Sequence, residues 1–421
     1  MTDAVETDQI RQARGKFAAM AGSYFLGTFN DNFFKQAVML LAITMGMKKF
    51  QGLVGMAFTV PFILFAAPAG WFADRFPKRN IVIGAKSIEL AAAFVGALGV
   101  ITGNLWIMIG MVGLMGVQAT FFSPALNGSI PELYPPSHVT SANALLRMIV
   151  TTGILIGIAL SGVTLGISGA TIFGAPHGRA LVGLAVVVIA LIGLLVSLGI
   201  PSRAAADPTR PFPYTGPLDT MKELVGIWKD RQLGRILVAD TFLWSVGVFQ
   251  LLIINTLGLT QFKLNETQTS LLVAAQLVGL AGGGLLAGTL AKGERWFKVL
   301  IPSGIVMAAM MLAIGLVPMV HGPWQVPLLY VLIGLAGAAG GLFLIPCESF
   351  LQIRPVPERK GAVWASANFA SFMGMSVVSL AYTFIPKLNT MLPTRAYAGL
   401  GVVSLLFVGW MAMEFRRKEW A

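Results

Sequence analysis

The chain of 421 residues is 56% hydrophobic and only 11% charged, with a mean hydropathy of +0.77, where soluble globular proteins carry roughly a quarter charged residues. That excludes an ordinary water-soluble enzyme: at roughly 20 apolar residues per crossing, the chain has room for about a dozen membrane spans and no soluble catalytic domain. The one cysteine, Cys347, excludes an internal disulfide and the paired-cysteine zinc spacings, and the net charge of +12 points to nucleic acid or to anionic lipid according to where it sits.

The opening MTDAVETDQIRQARGKF is too long, polar and acidic for a cleavable signal peptide, and the apolar run after it is span-length, so the first helix is expected to stay. Apolar runs predict spans over 17–46, 52–73, 80–101, 105–126, 141–166 and 181–200, then, after a polar stretch, over 235–258, 268–291, 297–318, 324–346, 361–385 and 396–415. The expected fold class is an all-α membrane protein with twelve transmembrane helices in two six-helix bundles, residues 1–200 and 235–421, joined by a cytoplasmic linker at 201–234. Two matched halves of this kind are the arithmetic of a transporter. Within the linker, Leu218, Met221, Leu224, Val225 and Trp228 recur at helical spacing between lysines and acids, which predicts an amphipathic helix at the membrane interface. The Gly-rich GISGATIFGAPHGRA predicts a loop on the opposite side. GLAGGGLLAG and LIGLAGAAGG are expected to let helices approach closely.

With an even number of spans both termini share a side. The N-terminal segment, the 2–3, 6–7, 8–9 and 10–11 connections and the C-terminal Arg416, Arg417 and Lys418 carry twenty-one lysines and arginines. The opposite connections carry six: Lys48, Lys49, Arg179, Lys263, Lys387 and Arg395. Positive residues stay inside, so both ends are expected to be cytoplasmic, and the charge is explained by topology and lipid contact with no nucleic-acid partner.

Two patterns carry chemistry. Phe29-Asn30-Asp31-Asn32-Phe33-Phe34-Lys35-Gln36 lies near the middle of the first span, where an ionised carboxylate is expensive unless it faces water, a cation or a base. Asp31 and Lys35 are four apart and share a helix face. One reading is a self-neutralising pair that contributes only packing specificity. The other is that Asp31, with amide oxygens of Asn30 or Asn32, takes a sodium ion or a proton while Lys35 meets an anionic substrate group. The second pattern, Gly70-Trp71-Phe72-Ala73-Asp74-Arg75-Phe76-Pro77-Lys78-Arg79, closes a span with a small residue, an acid and clustered bases. Gly70 is expected to permit close helix approach, Asp74 to meet a helix N-terminus or a base, and Arg75, Lys78 and Arg79 to complete a conformational latch at the cytoplasmic boundary.

That loop resembles the G-x-x-x-D-R-x-x-[RK]-R loop between the second and third spans of the major facilitator superfamily. Over most of the chain, FLGTFNDNFFK, GWFADRFPK, AKSIEL, FFSPALNGSIPEL, SANALLRM, TFLWSVGVFQ and IPCESFLQIRPVPERKGAVWASAN are similar to the bacterial lysophospholipid transporter family, including its members fused to an acyltransferase. The resemblance implies a secondary transporter of the bacterial inner membrane. It would move lysophosphatidylethanolamine and related one-chain lipids from the outer to the inner leaflet for reacylation, with sodium or a proton as coupling ion and no other cofactor. A separate cytoplasmic acyltransferase is the implied partner, and a monomer is expected. Asp31 and Asn32 match the family's acidic–amide pair. Leu126 stands where the family has a lysine, Arg147 where it commonly has an acid, and Gln250 where its standalone members have an arginine. The candidate substrate or cation contacts are therefore Asp31, Asn32, Asn30, Lys35, Gln250, Trp244 and Arg147.

Other polar residues in the spans divide between site and scaffold. Arg147 either lines a pocket or snorkels to the cytoplasm. Gln250 either meets a head group or makes an interhelical hydrogen bond. Lys86 and Glu89 read as an intrahelical pair close to the interface, and Glu348 and Gln352 as partners of Arg354 or Arg359 in a gate. The alternative function is a proton-coupled drug or metabolite exporter of the same superfamily, although Gly153–Gly162 lacks the proline of the usual antiporter run. An embedded acyltransferase lacks its His-x4-Asp pair, since His138, His177 and His321 have Asn143, Val182 and Val326 five positions on. No P-loop is present for an ATP-driven pump.

Overall fold

Apolar runs that leave backbone polar groups no partner but themselves must fold as helices, and the chain does so almost throughout. The computed structural model describes residues 2–127, 129–209, 211–291, 293–356 and 359–415. The predicted cytoplasmic bases Arg210, Lys292, Arg416, Arg417 and Lys418 lie outside the described residues. The first half contains α1 (Thr2–Thr44), α2 (Phe50–Arg75), α3 (Lys78–Thr102), α4 (Leu105–Asn127), the one-turn α5 (Ile130–Leu133), α6 (Pro136–Leu165) and α7 (His177–Ser197). After α8 (Gly216–Ile227) come α9 (Arg231–Thr256), extended by a π turn, then α10 (Glu266–Leu290), α11 (Leu300–Leu316), α12 (Gln325–Ile353), α13 (Lys360–Phe384), the short α14 (Pro386–Thr390) and α15 (Pro393–Phe415).

Eleven of the described helical segments are long and apolar enough to cross a membrane. The predicted twelfth, α1, is long enough at 43 residues but falls short in apolarity because Asn30, Asp31, Asn32, Lys35 and Gln36 interrupt it. Its burial explains how it tolerates them: Phe33, Phe34, Ala37, Val38 and Leu40 are almost wholly enclosed.

By packing, the chain divides into two units. The first comprises residues 1–41 and 57–217, the second residues 42–56 and 218–421. The linker expected at 201–234 is thus shared between them. In the first unit α3 packs on α4 and α7. On α6, Gly153 and Gly157 lie against the α1 backbone, where a Cβ at Gly157 would come 2.6 Å from the Phe29 carbonyl. Phe17, Met20, Phe122, Leu126, Leu133 and Tyr134 close one end of this unit as an apolar cluster. Residues 207–216 lie along α2: the Asp207 amide donates to the Asp74 carbonyl at 2.9 Å, and Phe212 meets Trp71 edge-on at 5.0 Å.

In the second unit α10 packs on α12, α11 on α15 and α9 on α13. The glycine-rich runs set the α10–α12 separation: a Cβ at Gly283 would strike the Ala338 carbonyl, and one at Gly337 the Gln276 carbonyl. Gly283→Val is therefore expected to cost about 1–3 kcal/mol or more through overpacking. Gly288→Val, on the same helix with nothing within 4 Å of the new Cβ, should leave thermal unfolding in detergent nearly unchanged.

Leu218, Met221, Val225 and Trp228, the apolar face predicted around α8, are all exposed, and Arg359 ties the helix to its unit through Glu223 at 2.5 Å. An uncovered apolar face beside charges suits a membrane interface. Because the native Cys347 is fully buried, it should resist maleimide in the folded protein. A cysteine placed at Leu218 or Val225 should react in detergent, and an environment-sensitive fluorophore attached there should blue-shift when the protein enters vesicles. An unshifted spectrum would place α8 in water.

Candidate functional site

The first unit assembles a buried polar cluster around the middle of α1, and its partners come from other helices. Asp31, 5% exposed, accepts a hydrogen bond from Gln118 Nε2 of α4 at 3.2 Å. Its predicted partner Lys35 makes no ion pair with it. The Lys35 ammonium sits instead 4.3 Å from the centre of the Phe58 ring on α2, a cation–π contact. The two charges still act on each other electrostatically, without a direct ion pair. Asn32 and Lys35 are partly exposed, whereas Asp31 is buried. The Asn32 amide is turned to its own helix, donating to the Thr28 carbonyl at 2.8 Å.

Asn30 faces the other way. Its side-chain amide donates to Glu89 Oε1 of α3 at 3.0 Å and to the Val186 carbonyl of α7 at 3.3 Å. Glu89 holds Lys86 at 2.6 Å, and both side chains are fully enclosed. Gly27 makes the room: a Cβ there would lie 2.6 Å from Lys86 Nζ. Lys86 and Glu89 are the intrahelical pair expected from their spacing, and they belong to a buried three-helix junction that locks the register of α1 through Asn30. Sequence spacing could pair these two residues but could not show that other helices enclose them. Gln118 was missed altogether, although an amide alone among the apolar residues of span four was a usable signal.

The remaining candidates are not gathered there. Arg147 on α6 is exposed and shares no hydrogen bond with Asp31, Lys86 or Glu89. Leu126 lies in the apolar cluster near Met20 and Phe122. In the second unit, the Gln250 carbonyl oxygen accepts from Gln276 Nε2 of α10 at 2.8 Å, the interhelical bond that was one of its two readings. Trp244 is 38% exposed.

The predicted latch is partly spent on local structure. Nothing lies within 4 Å of a Cβ at Gly70, so the close helix approach expected there is not made. Arg75 stacks 5.4 Å from Trp71, and Arg79 donates to the Leu198 carbonyl just past the end of α7 at 3.1 Å. In the second unit, Arg354 pairs with Asp230 at 2.9 Å and Arg359 with Glu223; Glu348 and Gln352 had been expected as their partners.

Membrane-spanning bundles that keep ionisable side chains buried within their helices are built for moving solutes, since an inert bundle has no use for so costly a feature. The fold and its relatives are those of membrane transporters. The chain belongs to the Major Facilitator Superfamily, whose family model matches residues 17–379. It is 27% identical over 371 residues to the Lysophospholipid transporter LplT of Yersinia enterocolitica serotype O:8, covering 84% of this chain and 82% of that protein. The transporter of the same name from Yersinia pestis strain Pestoides F is 26% identical over 367 residues, with the same coverage. Among solved structures, the nucleoside transporter NupG superposes with a TM-score of 0.69 at 14% identity, over 96% of this chain and 99% of that one. The inward-open xylose transporter XylE from E. coli gives 0.66 at 16% identity, over 94% of each. These two share the fold.

Proposed function

We propose that the protein moves lysophospholipids from the outer to the inner leaflet of the bacterial inner membrane by alternating access, with both termini in the cytoplasm. The observation that carries this reading is the division of labour between Asp31 and Lys35. A carboxylate held by a neutral amide and an ammonium held by an aromatic ring share one helix face and make no direct ion pair. Such a pair suits a zwitterion, with the carboxylate meeting a positive head-group amine and the ammonium a phosphate. The similarity to transporters named for lysophospholipids supports the same choice. Asn32, partly exposed next to Asp31 in the chain, supplies a further polar contact. A proton or a sodium ion at Asp31 is the coupling ion in this reading, and the lipid delivered to the inner leaflet is the substrate of a separate cytoplasmic acyltransferase.

The test is direct. Purified protein in vesicles is offered labelled lysophospholipids in the outer leaflet, and inward movement is followed with sodium and proton gradients imposed one at a time. Movement of lysophosphatidylethanolamine, accelerated by one of the two gradients, is expected. Failure with every head group would sink the reading and favour the proton-coupled exporter.

A further inference from the structure

Aromatic side chains recur along α2 at a spacing that the helix turns into a line. Phe58, Phe62, Phe65 and Phe72 fall on one face at 3.6 residues per turn, and Phe76 continues the line one residue past the helix end. The series is interrupted at Ala69, which is wholly enclosed. Phe121 of α4 bridges that interruption, its ring 6.2 Å from Phe65 and 5.6 Å from Phe72. Neighbouring rings also meet within the line, Phe58 with Phe62 at 5.6 Å and Phe72 with Phe76, stacked, at 5.5 Å.

One end of the line carries a charge. The Lys35 ammonium lies 4.3 Å from the centre of the Phe58 ring, on the face of α1 that also holds Asp31. From Phe58 to Phe72 the helix rises about 21 Å, more than the roughly 15 Å of hydrocarbon that one leaflet supplies. A whole acyl chain therefore fits along the rings once its head group is at Lys35. None of the six rings is buried; Phe65 is 37% exposed and Phe76 39%. Elsewhere in the same unit the outward surface is aliphatic, as on α7, where Leu184 is 61% and Leu195 57% exposed, which suits contact with fluid lipid tails. The α2 face is instead a narrow strip of rings that hold one another in place.

We propose that this strip is the acyl-chain subsite: the head-group phosphate meets Lys35, and the chain lies along Phe58, Phe62, Phe65, Phe121 and Phe72 toward Phe76. The subsite presupposes the lysophospholipid reading and adds the path of the tail. Rings that are already ordered leave only the chain to lose conformational freedom on binding. A single line accommodates one tail, so a two-chain lipid leaves its second tail without a seat, and the strip selects for one-chain lipids.

The experiment uses the full chain in phosphatidylcholine vesicles. Lysophosphatidylethanolamine with a photoreactive diazirine at the end of a stearoyl chain is irradiated with the protein, and the labelled residues are located by mass spectrometry. A monoacylglycerol with the same tail and no phosphate reports plain exposure to the bilayer. Label from the phospholipid should gather at Phe72, Phe76 and Phe121, exceed that from the monoacylglycerol about tenfold, and lose this excess in Lys35→Met. With an octanoyl chain the label should move back toward Phe62 and Phe65. Phe72→Ala should weaken competition by unlabelled stearoyl lipid about tenfold and competition by octanoyl lipid much less; the wild-type labelling pattern decides the matter should that variant not fold. Equal labelling by the two probes would show rings that merely face the bilayer and would overturn the proposal, as would phosphate-dependent label confined to other helices. Labelling requires no movement across the membrane. Lipid that labels the strip without crossing refutes transport and leaves the subsite standing, whereas lipid that crosses without labelling the strip refutes the subsite alone.

Discussion

Replacing Lys86 with methionine is expected to cost about 3–5 kcal/mol of stability, the penalty for leaving one member of a buried ion pair without the other. Glu89 would keep only the Asn30 amide while its carboxylate remained fully enclosed. The double variant Lys86→Met, Glu89→Leu removes both charges and should recover most of the loss, because apolar replacement of a whole buried pair is often neutral. Unfolding in detergent, followed by helical circular dichroism against temperature, distinguishes the two outcomes. A single variant as stable as the parent would show that the pair is hydrated and that its role in fixing α1 is wrong.

Asp31→Asn should reduce inward lysolipid movement by about a hundredfold, since truncating one member of a buried charged contact typically costs 2–5 kcal/mol. Gln118→Leu is a finer probe. It leaves the carboxylate in place and removes the amide that orients it, so a loss of about tenfold is expected. Lys35→Met should weaken movement of lipids with a phosphate head group more than of neutral one-chain amphiphiles. Full transport with unaltered cation dependence in Asp31→Asn would remove the coupling role assigned to that residue.

The helices were legible because hydropathy alone marks a membrane crossing. The run at 105–126 appears as Leu105–Asn127, that at 361–385 as Lys360–Phe384, and the amphipathic spacing from Leu218 to Trp228 falls largely on α8. The ends drifted where helices continue past the apolar run: α1 begins at Thr2 and α12 continues to Ile353, so both carry polar turns that a crossing does not require. The site was legible as a set of residues and illegible as a set of contacts. Asp31 and Lys35 share a face by spacing, yet which of Lys35, Gln118 or Phe58 each residue meets depends on neighbours 23 to 87 positions away. Gly153 and Gly157 were weighed as part of an antiporter run, whereas their physical work is to admit the backbone of α1. Lys86 and Glu89 could be paired by spacing, but their enclosure by α1 and α7 depends on residues far away in the chain.

Residues 42–56, the end of α1, its connection and the first turns of α2, join the second unit. Gln51 donates to Thr256 at 3.0 Å, Thr256 shares a hydrogen bond with Tyr382 at 3.0 Å, and Gly52 presses on the Ser379 carbonyl and the Thr383 hydroxyl. A gene severed at the linker would therefore not encode two self-sufficient pieces. The later piece, expressed by itself, would lack a plug made by the earlier one, leaving the Tyr382 and Thr256 hydroxyls without their glutamine. Fragment complementation would then depend on a short hairpin supplied in trans.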